Sequence, residues 1–265
     1  MAVQRVGWPD LPASTRHAVQ RHTGAVRSAT TVAAGQNSAV AALLATDTGA
    51  VFVKGLPRDY PRRWNQDMEA MVNPHVTHLA PRLLWRVQDH WDLLGFEVVR
   101  GRHADYRPGS PDLPYVARAA AELGTTPCPD LPIKRAEHRW REYIPKPAEL
   151  AMLAGDNLLH TDYNPLNILI TGGRAVLVDW AWPTKGAGWI DPTCLILRLI
   201  AHGHTTQSAE AVIADTPAWQ TAPAHGIAIF ARACASMWHE IAIANPTGWT
   251  QRMAQAASDW AHTRA

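Results

Sequence analysis

Lysine is scarce in this chain: only Lys54, Lys134, Lys146 and Lys185 stand among 25 basic residues, the rest being arginine. Phenylalanine is scarce too, three residues against twelve tryptophans. The three cysteines, Cys128, Cys194 and Cys234, are far apart and form no C-x-x-C pair. That excludes a disulfide scaffold and a cysteine-built metal site, and it fits a reducing compartment. Net charge is small: 25 basic and 23 acidic residues leave +2, which argues against nucleic acid or a membrane surface as partner. Long apolar runs are missing as well. Trp8-Pro9-Asp10 and Pro12 interrupt any signal-peptide core, and the longest stretch without a charged residue, Ser28 to Thr46, is too rich in Thr, Ser, Gln and Asn to cross a bilayer. A cytoplasmic protein is expected.

What is present is enough for a core. The chain has 265 residues, 47% of them hydrophobic, which suits one or two domains, and no repeat of solenoid length is visible. A short helix is expected from Pro12 to His22, stopped by Gly24. The runs "SAVAALLAT" and "GAVFVKG" read as a hairpin, with Gly49 at the turn and β-formers Val51 to Val53. Trp64, Met68, Met71, Val72, His75, Val76 and Leu79 fall at helical spacing after Pro61, with Asn73-Pro74 kinking or splitting the helix. "RLLWRVQDHWDLLGFEVVRG" holds two more strands, parted near Asp89 to Asp92. Six prolines lie between Arg107 and Pro132, around one helical run from Tyr115 to Leu123. This shift in composition places a domain boundary near Arg100 to Pro108, dividing the chain into 1–101 and 102–265. The second part is expected to be mainly helical, with one hairpin at Asn167 to Trp180.

The chemistry concentrates in "LLHTDYNPLNILITGGRAVLVDWAW", Leu158 to Trp182. Gly172-Gly173 between two apolar runs is a two-residue hairpin signal. If Thr171 pairs with Arg174, Leu166 stands opposite Asp179 and Asn167 opposite Val178. Asn167 and Asp179 then emerge together at the open end. An amide oxygen and a carboxylate are hard ligands that Mg²⁺ accepts, with water and phosphate completing its octahedron. Asp162, five residues before Asn167, can approach the same point, one acid serving as base while the other holds metal.

His160-Thr161-Asp162-Tyr163-Asn164-Pro165-Leu166-Asn167, followed by Val178-Asp179-Trp180, resembles the H-G-D-x-x-x-x-N … [IV]-D-[FW] pattern of the aminoglycoside phosphotransferase and choline kinase-like family, within the protein-kinase-like superfamily. The resemblance implies an α+β, bilobal protein-kinase-like fold. Its small N-terminal lobe would carry an antiparallel sheet and one main helix and bind nucleotide. The larger, mostly helical C-terminal lobe would carry the catalytic hairpin and the substrate, with the active site in the cleft between them. It implies Asp162 as the base for the acceptor hydroxyl, Asn167 and Asp179 as Mg²⁺ ligands, and His160 and Asp191 as supports of the catalytic loop. Lys54, ending the strand "AVFVK", stands where the superfamily keeps its phosphate-binding lysine. Glu69 matches that lysine's ion-pair partner, with Asp67 as an alternative. Glu97 to Val99, in "FEVVRG", occupies the hinge position whose backbone would bond a purine of ATP or GTP.

Four positions depart from the family pattern. Thr161 replaces a glycine, and Leu195 stands where a later aspartate would brace the loop. Between the first two strands only "AAGQNS" is available to cover phosphates. The acidic residues past Thr193 number four, matched by four arginines, so a polycationic aminoglycoside finds few carboxylates there. The same half holds Trp180, Trp182, Trp189, Trp219, Trp238, Trp249 and Trp260, of which four or five are expected in the core and the rest along a flat pocket. The resulting expectation is a kinase of a hydroxylated small molecule, an antibiotic or metabolite less cationic than an aminoglycoside. A nucleotide-binding pseudokinase with a regulatory role is the alternative. Only eleven residues part Asp179 from Asp191, too few for the activation segment of a protein kinase. The pairs His202/His204 and His75/His78 lack the glutamate or cysteine partners of a zinc site.

Overall fold

The computed structural model describes residues 3–33, 35 and 37–264. Its contacts divide the chain into two units: Met1–Gly101 with Val176–Ala181, and Arg102–Ala175 with Trp182–Ala265. The short segment Val176–Ala181, which begins within the strand Arg174–Leu177, belongs with the first.

In the first unit, helix α1 (Ala13–Thr23) ends at Gly24, whose φ of +68° reverses the chain at no steric cost. A five-stranded antiparallel sheet follows, in the order β1 (Val26–Thr31), β2 (Val40–Thr46), β3 (Gly49–Pro57), β5 (Trp91–Glu97), β4 (Leu83–Gln88). β2 and β3 pair from Thr46↔Gly49 to Val40↔Gly55, the hairpin expected from the sequence. Alternation sorts the two faces. Val40, Ala42, Leu44, Val51 and Val53 pack with Ala18 and Val19 of α1 into one core. Lys54, one residue on from Val53, projects from the other face. Trp85 lies opposite Gly95, where an added Cβ would come within 2.2 Å of the indole; only glycine lets the ring lie flat on the strand. Helix α2 (Trp64–Val72) stops where Asn73-Pro74 turns it into a 3₁₀ segment, Asn73–His75. The first unit thus holds the short opening helix and the helix after Pro61 that the sequence suggests.

The second unit begins with β6 (Arg102–His103) and α3 (Leu113–Leu123), whose first turn holds Pro114. After β7 (Lys134–Arg135), α4 (Ala136–Arg139), α5 (Pro147–Leu150) and β8 (Asn157–Leu159) comes the hairpin of β9 (Ile168–Thr171) and β10 (Arg174–Leu177). Gly172 and Gly173 both take positive φ at its turn, as a type I′ connection requires. β6 adds to β9, and β11 (Thr184–Gly186) joins β7 and β8 in a further small sheet. These two- and three-residue strands are too short to alternate visibly, so the sequence suggests only the hairpin.

Five helices complete the chain: α6 (Ile190–Ala201), α7 (Thr206–Ile213), α8 (Pro217–Gln220), α9 (Ala224–Ala244) and α10 (Gly248–Thr263). Contrary to the expectation that no segment has the length and apolarity to span a bilayer, α9 has both, with a mean hydropathy of 1.3 over its best window. Arg232 and Glu240 lie within it, and Phe230 packs edge-on against Trp140 and Trp189. The tryptophan expectation also needs correction. Of the seven, only Trp180, Trp189 and Trp260 are buried; the other four are half-buried, each with an arginine guanidinium over its ring.

Candidate functional site

Two clusters hold the residues singled out by sequence. The first lies in the first unit. Lys54, on β3, is buried, and its Nζ sits 2.7 Å from Glu69 Oε2 on α2 and 2.6 Å from Asp179 Oδ1. Asp67 instead meets Arg63 and Arg86. Burial alone would lower the lysine pKa, but the Asp179 and Glu69 carboxylates outweigh it and raise it, so Lys54 is charged. Burial raises Glu69 against the pull of Lys54. Asp179 takes φ +62°, a left-handed conformation that Asp tolerates better than most residues. Asn167 lies in a 3₁₀ turn, Pro165–Asn167, capped by the Asn164 side chain and just before β9, so it is not itself a strand residue.

The second cluster lies in the second unit, in the loop after β8. Asp191, in the first turn of α6 and fully buried, accepts from the backbone N–H of His160 and of Thr161, both at 2.8 Å. Burial pushes its pKa up, against those two hydrogen bonds. His160 Nδ1 accepts from the Asp162 N–H at 3.3 Å. The Asp162 carboxylate is engaged on both oxygens: Asn167 Nδ2 donates to Oδ2 at 2.9 Å, and Arg198 Nη2 donates to Oδ1 at 2.7 Å. Leu195 is buried between Asp191 and Arg198 on the same helix. Asp191 and Arg198 are seven residues apart, two turns, so one face of α6 holds three consecutive loop residues.

Thr161 explains why the family pattern has glycine here. Its φ is +64°, unfavourable for a β-branched residue. Its hydroxyl accepts from Arg139 Nη1 at 2.6 Å, and Arg139 also reaches Thr184 Oγ1 and the Trp182 carbonyl. Neither Arg139 nor Arg198 stood out in the sequence. For Arg198 a signal existed, its heptad spacing from Asp191; for Arg139, on a four-residue helix, none did.

The remaining expectations fall elsewhere. Glu97 ends β5, donates its N–H to the Arg82 carbonyl and has an exposed side chain; Val99 follows the strand and is half-buried. In the run expected to cover phosphates, Ala34 and Gln36 lie outside the described residues. Gly35 takes φ +84°, and its carbonyl and that of Ser38 accept from Arg5. Among the described residues no three His, Cys, Asp or Glu side chains gather as a metal site. His204 bonds the Tyr106 carbonyl and His202 the Arg198 carbonyl.

No protein-family model matches the chain, and no curated protein matches it. Solved structures do. An aminoglycoside phosphotransferase from Alicyclobacillus acidocaldarius matches with a TM-score of 0.66 and 14% identity over 96% of each chain. The choline kinase LicA from Streptococcus pneumoniae matches with 0.61 and 14% identity, over 90% of this chain and 94% of its own. The spectinomycin phosphotransferase APH(9)-Ia, solved with ADP and spectinomycin, matches with 0.59 and 11% identity, over 96% and 94%. The chain has the α+β fold of the aminoglycoside phosphotransferases and choline kinases.

Proposed function

We propose that this protein is a Mg²⁺-dependent phosphotransferase that moves the γ-phosphoryl group of ATP or GTP to a hydroxyl of a small molecule. The observation that carries this reading is the buried Lys54 ammonium between Glu69 and Asp179, in a fold shared with enzymes of that kind. Burying Lys54 and Glu69 together, with Asp179 half-buried beside them, is costly, and such arrangements concentrate at functional sites. In this reading 1–101 binds nucleotide, with Lys54 on the α- and β-phosphates and the backbone of Glu97 to Val99 toward the purine. Residues 102–265 carry the base and the acceptor site, and the enzyme works in the cytoplasm.

Asn167 and Asp179 would hold Mg²⁺. The donor set fits: one carboxylate and one amide, whose nitrogen faces Asp162 and whose oxygen is the acceptor it offers. Bound there, the ion would offset charge on the β- and γ-phosphates. Asp162 takes the proton as the acceptor oxygen bonds to the γ-phosphorus. The bond from that phosphorus to the β,γ-bridging oxygen breaks, and its electron pair leaves with the nucleoside diphosphate. Asn167 and Arg198 fix the carboxylate, and His160 and Asp191 fix the backbone that carries it. The acceptor, an antibiotic or metabolite, is less cationic than an aminoglycoside, because three of the four carboxylates past Thr193 are spent internally: Glu210 on Arg264 and Trp260, Glu240 on Tyr143, Asp259 on Gln255.

The test combines thermal shift with Mg·ATP and Mg·GTP and turnover over a panel of hydroxylated compounds. Nucleotide should raise the melting temperature of wild type and of Asp162→Asn alike, while only wild type transfers phosphate. Turnover retained in Asp162→Asn rejects the base. Nucleotide binding without transfer to any compound favours the regulatory pseudokinase.

A further inference from the structure

Arg198 has one nitrogen on the Asp162 carboxylate, yet its Nη1 is buried and meets no hydrogen-bond acceptor among the described residues. The side chain is nine-tenths buried, and the rings of Trp249 and Trp238 flank it at 5.1 and 5.3 Å from the guanidinium carbon. Tyr106 supplies a second such donor. Its hydroxyl is buried without a partner, and it lies close enough to Arg198 and Asp162 to feel both charges. Burial raises the phenol, with Arg198 opposing, so it stays protonated. His202 ties the group together, edge-on to Tyr106, tilted against Trp249 and bonded to the Arg198 carbonyl.

A guanidinium that served only to hold Asp162 would need one edge. Leaving its other edge buried without an acceptor carries the desolvation penalty of a charged donor. Two donors and no acceptor beside one carboxylate ask for an oxygen. Asp162 itself is a third exposed, so a second molecule can reach the carboxylate that Arg198 holds. An ammonium on that molecule would face the Arg198 charge, with both Asp162 oxygens already engaged.

We propose that Arg198, with the Tyr106 hydroxyl beside it, is an oxygen-anion subsite that selects acceptors carrying a carboxylate or another oxygen acceptor close to the reacting hydroxyl, and rejects those carrying an ammonium there. The assignment rests on Asp162 as the phosphotransfer base, and it names the acceptor class: hydroxy acids and their neutral polyhydroxy analogues.

Three probes with one polyol chain test it: D-gluconate, D-sorbitol and D-glucamine, anionic, neutral and cationic at pH 7. Each is measured with Mg·ATP for kcat/KM, and without nucleotide for its effect on the melting temperature. In wild type, gluconate should exceed glucamine by about tenfold or more in kcat/KM, the worth of one charge-assisted hydrogen bond. Arg198→Gln should bring the ratio within about threefold, while Arg198→Lys keeps the preference at reduced size, because the charge remains and the fork is lost. The ratio is a readout that mere support of Asp162 would not move, since loss of support slows all three probes alike. Equal use of gluconate and glucamine by wild type, or an unchanged ratio in Arg198→Gln, overturns the subsite and leaves the phosphotransferase reading standing. Anion-selective stabilisation of wild type, lost in Arg198→Gln, with no phosphate transferred to any probe, supports the subsite and counts against that reading. Identical or absent stabilisation by all three, again without transfer, overturns the subsite.

Discussion

Arg139 Nη1 donates to the Thr161 hydroxyl at 2.6 Å, across a backbone turned to φ +64°. The left-handed conformation costs a residue with a Cβ about 1–2 kcal/mol. Arg139 is half-buried, and its hydrogen-bond partners are neutral oxygens of Thr161, Thr184 and Trp182. Burial pulls its pKa down against the nearby Asp162 and Asp191 charges, and the guanidinium lies over the Trp140 and Trp182 rings at 5.0 and 5.7 Å. Each residue therefore compensates for the other: the threonine is tolerated because it satisfies the arginine.

Substitutions at this pair should separate strain from hydrogen bonding. Thr161→Val keeps the shape and the strain and loses the acceptor, a loss of about 2 kcal/mol. Thr161→Gly loses the acceptor too but relieves the strain, so it should stay within about 1 kcal/mol of wild type. Arg139→Met should cost less in the Thr161→Val background than alone, by about 1 kcal/mol. Urea midpoints of the four variants decide this, and a Thr161→Val as stable as wild type sinks the account.

Lys54 balances two carboxylates, so removing it should do more harm than neutralising one of them. Lys54→Met leaves Glu69 and Asp179 facing each other, at a cost of about 3 kcal/mol, since Glu69 is buried. Glu69→Gln keeps an oxygen toward the ammonium and should cost about 1 kcal/mol. The pH dependence carries the sign. In Lys54→Met the folded-state pKa of Glu69 rises above its unfolded value, so the penalty is small where both states are protonated and grows as pH rises toward the folded value. The gap in melting temperature between wild type and Lys54→Met should therefore narrow from pH 7 to pH 5. A constant gap would mean that the lost lysine packs and does not balance charge.

How much of this was legible depends on the range of the signal. Lys54 and Glu69 were visible through the resemblance to the superfamily, with strand and helix spacing placing each on its own element. Asp191 was visible through the same resemblance. Arg198 was not, although its heptad spacing from Asp191 puts both on one face of α6, because a lone arginine on an apolar helix reads as solvated surface. The tryptophan excess misled for a related reason. Burial was assigned ring by ring, whereas Trp182, Trp219, Trp238 and Trp249 are half-buried beneath arginines far away in sequence or on another turn. A chain that uses arginine in place of lysine has planar cations to stack on indoles, and that joins the two compositional oddities. The 3₁₀ turn at Asn167 and the left-handed Asp179 are local geometry that apolar periodicity does not encode.

Asp92 gives the clearest acid-stability prediction. It lies in β5 with no solvent exposure, and accepts from Arg63 at 3.0 Å and from Arg86 at 2.8 and 2.5 Å. Burial alone would raise its pKa, but the Arg86 and Arg63 hydrogen bonds outweigh burial and hold the carboxyl below the usual range. A depressed folded-state value means that this ion-pair contribution is fully present above the unfolded value, about pH 3.9, and is lost as pH falls through the folded one. Asp92→Asn removes the charge while both arginines remain, at a cost of about 3 kcal/mol at neutral pH. The difference between wild type and Asp92→Asn should thus be flat from pH 7 to pH 5 and shrink below about pH 4. Denaturant midpoints across that range measure it. A difference that stays constant down to pH 3 would show that Asp92 contributes through packing alone and that its two arginines do not depend on its charge.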